Sequence, residues 1–339
     1  MYGGGPVRMA SLIEYLETRS TVDLISFAPV PDRCFGAKLE IALPHHSRSM
    51  PARLLRNAWR YARRVPPLVD RFSGYEAAIR RWLGGRRYDV VLLEHFWVAP
   101  YAPLFREHTD RLAIDLPDIY SELMRSMGTP FARMTERMET ELLPLFDTVL
   151  VTSSADACRI GVPSVVYPNA LPARPHAPPA TRSGVAMSAN FEYPPNAEGL
   201  AWFEKRVWPR LKKEFPDLEL KLIGKGRNPV HDAIATLSQA QVAIVPLFAG
   251  SGTRVKILEA WQAGTPVVST ALGAEGLAVE PGRHLLIAND PDAFAAAIAR
   301  LLRDSALHQH LQIEARSHLE HHYTWPRAWE RLDETRALY

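Results

Sequence analysis

The twenty-three residues from Phe248 to Thr270 restrict the fold more than any other part of the chain, because they read as loop, helix, tight turn and strand in quick succession. The apolar run Val242 to Leu247 ahead of them suits a buried parallel strand, and Gly250 and Gly252 permit a sharp turn without a Cβ penalty. Ser251 or Thr253 can cap the following helix, Gly264 stands where a left-handed C-terminal residue is wanted, and Pro266 ends the helix ahead of a strand from Val267 to Thr270. Unpaired N–H groups of the first helical turn would then face an anion at the strand's C-terminal edge. Arg254 and Lys256 would add mobile positive charge, and Glu259 could reach a ribose hydroxyl pair. Any βα unit of a parallel sheet also has a glycine turn and a capped helix, so a purely structural reading stands beside that of a phosphate cradle.

The 339 residues suit two domains of ordinary size, and 47% hydrophobic with 23% charged residues is a globular composition. A net charge of +3 does not argue for nucleic acid, but it is unevenly spread: Arg48 to Arg87 holds eleven arginines against Asp70 and Glu76. Cys34 and Cys158 lack metal-ligand spacing and fit a reducing compartment rather than a disulfide framework. No apolar run approaches the roughly 20 residues of a membrane span, and no signal peptide heads the chain. The expected location is cytoplasmic, with attachment to a membrane surface left open.

Short apolar runs alternate with helical segments, which is the pattern of parallel α/β sheets. Strands are expected at Val22 to Phe27, Val90 to Leu93, Leu112 to Asp115, Val149 to Thr152, Val165 to Tyr167, Val185 to Ser188, Leu218 to Ile223, Val242 to Leu247, Val267 to Thr270 and Leu285 to Ala288. Proline-rich, aperiodic sequence from Pro168 to Gly184 marks a linker. The expected division is an N-terminal Rossmann-like domain over 1–170, a linker over 171–183, a second Rossmann-like domain over 184–322, and a C-terminal helix over 323–339 that could pack back on the first. A helix from Ala197 to Lys213 would place Leu200, Phe203, Val207 and Leu211 on one stripe. Asp290 and Asp292 could hold a metal, but their place before the helix Ala293 to Leu302 suits an N-cap better. Doubly wound domains bind ligands at the C-terminal edges of their sheets, so the cradle would face a cleft, with Gly3, Gly4 and Gly5 before the helix Val7 to Leu16 as a second candidate loop.

In order along the chain, Gly3-Gly-Gly5, Val166-Tyr-Pro-Asn169, Tyr193-Pro-Pro-Asn196, Ile223-Gly224, Gly250 to Ala260, Gly264 to Thr270 and Gly273-Ala-Glu-Gly276 resemble family 4 glycosyltransferases of the GT-B fold. The resemblance is specific in the second half and loose in the first, and is strongest to bacterial exopolysaccharide or cell-surface polysaccharide enzymes. It implies two doubly wound domains, a nucleotide-diphosphate sugar as donor, a saccharide acceptor, retention at the anomeric carbon, and no obligatory metal or cofactor. It also implies donor diphosphate binding by Gly4, Gly5, Gly250, Ser251, Gly252, Thr253, Arg254 and Lys256. Glu259 would bind the ribose, and Gly224 and Lys225 would lie by the base. His95, after Val91-Leu-Leu-Glu94, and Asp118, in Ile114-Asp-Leu-Pro-Asp-Ile-Tyr-Ser121, match strand-end positions of the catalytic cleft. A structural histidine is an equal alternative for His95, and Glu94 and Asp115 are either helper acids or loop residues.

Five departures from the family pattern stand out. Ser251 replaces the first acid of the motif, eight positions before Glu259, and Pro117 replaces a common histidine. The Arg and Lys usual after the first strand of the second domain are absent, with Asn190 and Asn196 nearby, so Arg254 and Lys256 would carry more of the diphosphate charge. The first strand of the N-terminal domain has no counterpart ahead of the glycine loop. Only fourteen residues separate Gly226 from Gln241, where relatives carry another strand and a loop against the base.

Leu54, Leu55, Ala58, Trp59 and Ala62 form one face of a helix whose other face carries Arg53, Arg56, Arg60, Arg63 and Arg64. Such a helix either lies on an anionic membrane, near a lipid-linked acceptor, or packs on its sheet with the arginines in water. Nucleic acid fits poorly, because aromatic residues are not interleaved with the arginines. Two rivals to a transferase remain: a GT-B nucleotide-sugar epimerase, and a non-catalytic nucleotide-sugar-binding protein.

Overall fold

A computed structural model describes residues 4–30, 33, 35–45, 49–175, 181–230, 232–250 and 254–339. The chain divides into two compact units. One comprises Gly5–Tyr167 with Arg331–Tyr339, the other Pro168–Glu330 with the first four residues.

The first unit contains β1 (Leu24–Ser26), β2 (Lys38–Glu40), β3 (Val91–Glu94), β4 (Leu112–Leu116), β5 (Thr148–Val151) and β6 (Val165–Val166). The short pair β1 and β2 is parallel, and the other four form a parallel sheet in the order β3-β4-β5-β6. The alternation of side chains in a strand explains its packing. Leu112, Ile114 and Leu116 of β4 join Leu93, Val149 and Val151 in one apolar cluster. The C-terminal residues belong to this unit: Tyr15 donates to Asp333 Oδ1 at 2.7 Å and Thr148 to the Ala337 carbonyl at 2.9 Å.

The second unit is a parallel sheet of β7 (Val185–Ser188), β8 (Leu220–Ile223), β9 (Val242–Val245), β10 (Val267–Ser269) and β11 (Leu286–Ile287), ordered β11-β10-β9-β7-β8. Its two faces are both apolar, as a doubly wound sheet requires. Ala186, Ala243, Val245 and Val267 pack on one side with Ile257, Leu258 and Trp261 of the helix Val255–Gln262. Val185, Met187, Val242, Ile244 and Val268 pack on the other with Phe294 and Ile298 of the helix Pro291–Arg303. The expected strands are thus present, shortened by one or two residues at several ends and lengthened by one at others. Strand β2 was not foreseen, because Lys38-Leu-Glu40 offers a single apolar residue.

Leu200, Phe203, Val207 and Leu211 are all buried, but the helical run from Pro194 to Glu214 contains a π turn over Phe203–Val207. The wider turn lies just before Pro209, which has no N–H to return to the preceding turn. Asp290 accepts from the N–H groups of Asp292 and Ala293, so it caps its helix, and Asp292 pairs with Arg210. The Asp-x-Asp pair is therefore structural.

Gly199 fixes how near that helical run comes to β9: a Cβ there would stand 2.1 Å from the Pro246 carbonyl oxygen. Backbone against backbone leaves nothing to rotate away. Gly199→Ala should therefore lower unfolding stability by about 1–3 kcal/mol, read as an earlier urea midpoint. An unchanged midpoint would mean that the contact is slack.

Candidate functional site

The loop after β9 and the start of the helix Val255–Gln262 carry the densest set of anticipated residues. Ser251, Gly252 and Thr253 lie outside the described residues. The helix is N-capped by Arg254, whose side chain makes no cap bond. Gly250 has φ +108°, and a Cβ there would meet Arg254 Nη1 at 3.3 Å. Arg254 is buried and donates from Nη2 to the Gly250 carbonyl at 2.9 Å and from Nε to the Leu272 carbonyl at 3.4 Å. The expectation of a mobile cation is corrected here. Its guanidinium braces the two ends of the loop, as a rigid planar fork is suited to do.

Lys256 is anchored as well. Its Nζ donates to Asn196 Oδ1 at 2.5 Å, and Asn196 Nδ2 donates to the Asn190 carbonyl at 2.8 Å. Asn190 and Asn196, noted in the sequence only as standing where basic residues are usual, are therefore the groups that aim this lysine. Burial lowers the Lys256 ammonium to about 7, with Arg254 adding repulsion and Glu259 opposing it. Burial likewise raises Glu259 to about 7, with Lys256 opposing and Asp232 adding to the rise. Lys256 and Glu259 are three residues apart on one helix and so share a face. A strongly desolvated lysine beside a carboxyl at the end of a parallel sheet is an arrangement that gains from an incoming anion, because the anion restores the stability of the ammonium.

Gly224 and Lys225 follow β8. Gly224 has φ +123°, and a Cβ would stand 2.2 Å from the Ala189 carbonyl, so glycine is required where this loop crosses the end of β7. Lys225 is exposed and pairs with Glu192 at 2.6 Å. Beside them a cavity of about 160 Å³ is lined by Phe191, Ala197, Leu200, Ala201, Glu204, Gly226 and Arg227.

Gly4 and Gly5 are the first two residues of the helix Gly4–Glu17, which belongs from Gly5 onward to the unit Gly5–Tyr167. They belong to its first turn and not to a loop ahead of it, because the absence of a cap signal at Val7 leaves nothing to delay the helix. The same helix supplies a residue that sequence reasoning missed. Arg8 is fully buried and grips Asp115 with two bonds, Nε to Oδ2 at 2.7 Å and Nη2 to Oδ1 at 2.5 Å. Its Nη1 donates to the Tyr167 carbonyl at 2.6 Å. No local signal marks a buried arginine on an apolar helix; its partner lies 107 residues away.

His95 closes β3 with φ +74°, a conformation rare for a residue with a Cβ. Its N–H donates to the Asp115 carbonyl at 2.9 Å, and its ring stacks on Trp97 at 4.0 Å between centroids. Burial lowers the imidazole to about 4, so the ring is neutral at pH 7. Glu94 ends β3, Asp115 lies beside it in register one residue before the end of β4, and both are buried at the carboxyl oxygens, so neither is a loop residue. Asp118 is partly exposed in the turn between β4 and the helix Tyr120–Ser126.

The helix Met50–Ala62 has no buried residue. Leu54, Leu55 and Trp59 are 64%, 73% and 63% exposed, whereas the Arg60 side chain is 11% exposed and donates to Asp70 at 2.8 Å. Arg60 thus turns toward the protein while Arg53, Arg63 and Arg64 stay exposed, and the outward Leu54, Leu55 and Trp59 overturn packing through an apolar face. No helix among the described residues is long and apolar enough to cross a membrane.

Residues 182–304 match the glycosyl transferases group 1 family. A stretch of 163 residues is 27% identical to an uncharacterized 44.6 kDa protein in the cps region of Klebsiella pneumoniae, covering 41% of this chain and 42% of that one. A stretch of 250 residues is 27% identical to a proposed colanic acid biosynthesis glycosyltransferase, WcaL, of Salmonella typhimurium, covering 68% of this chain and 59% of that one. The chain thus spans about half the length of these curated relatives. A sucrose-phosphate synthase of Thermosynechococcus elongatus shares the fold, with a TM-score of 0.66 at 17% identity over 98% of this chain and 93% of that one.

A lysine held this way should titrate near neutrality. In a Cε-labelled protein, with Lys256→Met to assign the signal, Lys256 should titrate near pH 7 and move upward when inorganic pyrophosphate is added, since the anion favours the ammonium. Titration near the ordinary lysine value, unmoved by pyrophosphate, would remove this residue from the site.

Proposed function

We propose that the chain, whose residues 182–304 match the glycosyl transferases group 1 family and which has the GT-B fold, transfers a sugar from a nucleotide-diphosphate donor to a saccharide acceptor. The acceptor is lipid-linked, the configuration at the anomeric carbon is retained, and the pathway builds a cell-surface or exopolysaccharide. The observation that carries this reading is the aimed, desolvated Lys256 beside Glu259 at the mouth of β9.

On this reading the donor diphosphate lies against Gly250 to Thr253 and the first turn of the helix, paired with Lys256. Arg254 holds the loop in shape behind it. Glu259 accepts from the ribose hydroxyls, and Gly224 and Lys225 border the base. As the bond from the anomeric carbon to the diphosphate oxygen breaks and that to the acceptor oxygen forms, the leaving diphosphate gains charge. Lys256 and the helix N–H groups stabilise that charge, and the departing phosphate takes the acceptor proton. No metal is needed for this role. His95, neutral, and Asp118 are the candidate catalytic groups of the unit Gly5–Tyr167, taken by itself.

Calorimetry with UDP, GDP and ADP tests the donor site. One nucleotide should bind selectively, and Glu259→Ala should weaken it by about tenfold or more through loss of the hydrogen bonds to the ribose. Arg254→Ala should weaken diphosphate more than nucleoside binding. Equal affinities in both variants and wild type would remove the site, and binding without sugar transfer to any acceptor would leave a non-catalytic nucleotide-sugar-binding protein.

The acceptor's lipid places the enzyme at the cytoplasmic face of a membrane, and the helix Met50–Ala62 is the surface that meets it. Its outward side is apolar, with a tryptophan, and the segment from Arg48 to Arg87 is strongly basic, which matches anionic headgroups better than a neutral protein face. The protein should sediment with phosphatidylglycerol vesicles and not with phosphatidylcholine vesicles. The double change Leu54→Asp and Leu55→Asp should abolish this without altering nucleotide affinity. Vesicle-independent self-association lost in the same variant would identify the face as a contact between copies of the chain.

A further inference from the structure

We propose that Glu94 and Asp115 share one proton, and that this pair, clamped by Arg8, is the positioning group for His95. Its bearing on transfer rests on the glycosyltransferase reading above; the proton sharing itself does not.

The register of β3 and β4 sets Glu94 directly beside Asp115, so the two side chains leave the sheet on the same face. Arg8 occupies both Asp115 oxygens with one fork and gives its remaining arm to the Tyr167 carbonyl, with its guanidinium 4.4 Å from the centre of the Tyr167 ring. One buried cation is thus matched by one buried carboxylate. Glu94 is left over. Both its oxygens are buried, and neither has a hydrogen-bond donor among the described residues.

A bare carboxylate in that position would have only lone pairs to present and would stand beside a second carboxylate. A carboxylic acid has one O–H, and Asp115, its register partner on the adjacent strand, is the neighbouring acceptor. The proton therefore resides on Glu94 and is donated to Asp115. Burial, and next the charge of Asp115, hold Glu94 well above the usual carboxylate range, with Arg8 opposing. The groups that face it are Arg8 from the helix, Asp115 from β4, Tyr167 after β6 as the partner of Arg8, and His95 next to it on β3.

His95 hangs on this arrangement. Its N–H is tied to the Asp115 carbonyl, and its left-handed backbone persists only because surrounding contacts determine it. Ionising Glu94 would set two carboxylates against each other at the ends of β3 and β4, where that N–H is fastened. The folded state raises the affinity of Glu94 for its proton. The stability this gives is complete below its unfolded value and is lost as pH rises through the folded one.

The test compares wild type with Glu94→Gln, which keeps a donor toward Asp115 and cannot ionise. The wild-type infrared spectrum at neutral pH should contain a protonated carboxyl band that Glu94→Gln lacks, and wild type should lose more thermal stability than the variant as pH rises above the ordinary carboxylate range. A spectrum with carboxylate bands alone, or parallel pH slopes, would overturn the proposal. In transfer assays Glu94→Gln should stay within about twofold of wild type at neutral pH and lose the alkaline limb. Glu94→Ala should reduce kcat by about tenfold or more while the donor KM holds. An unchanged kcat in Glu94→Ala, in a folded protein, would return the pair to a purely structural role. If the infrared band and slopes appear but wild type transfers no sugar, the glycosyltransferase reading fails and the shared proton stands.

Discussion

Desolvation of charge at the C-terminal ends of parallel strands is the constraint on which both units are built. A doubly wound sheet is covered on both faces, so polar side chains that project from its strand ends lose water on several sides at once. Each must find a partner, change its protonation, or await a ligand. Arg8 and Asp115 take the first course with a bidentate pair, and Lys256, tied to an amide oxygen, is displaced from its ordinary titration range. A buried pair of this kind contributes specificity of arrangement more than net stability, and removing one partner would leave an expensive lone charge. The helix Gly4–Glu17, β4 and the residue after β6 are thereby tied at one point through a single guanidinium.

Much of this was legible in the chain. Alternating apolar runs with glycine and proline punctuation located ten of the eleven strands found among the described residues, because a strand buried on both faces leaves few polar residues to confuse the pattern. The cap at Asp290 could be read from an acid preceding proline and an apolar helix. The loop from Gly250 and the positions of Lys256 and Glu259 were also plain, since spacing on one helix is a local property. What was hidden depends on distance. Arg8 and Asp115, 107 residues apart, look like an exposed cation and a loop acid when read separately. The outward apolar side of Met50–Ala62 was equally hidden, because amphipathicity identifies two faces without saying which of them meets the protein.

The tie between Asn196 and Lys256 has a consequence for selection among ligands. The lysine's hydrogen bond is already satisfied within the protein by an oriented neutral oxygen, so the cradle is occupied by a stand-in of its own making. A neutral visitor that displaces the amide exchanges one hydrogen bond for an equivalent one and leaves Asn196 wanting, with no return for the disturbance. Only a group that brings charge as well as an acceptor offers the half-neutral lysine something the amide cannot. On the proposed function this resting contact would disfavour uncharged sugars, and the helices starting at Pro194 and Val255 would register the exchange together, since each holds one end of the bond that is broken.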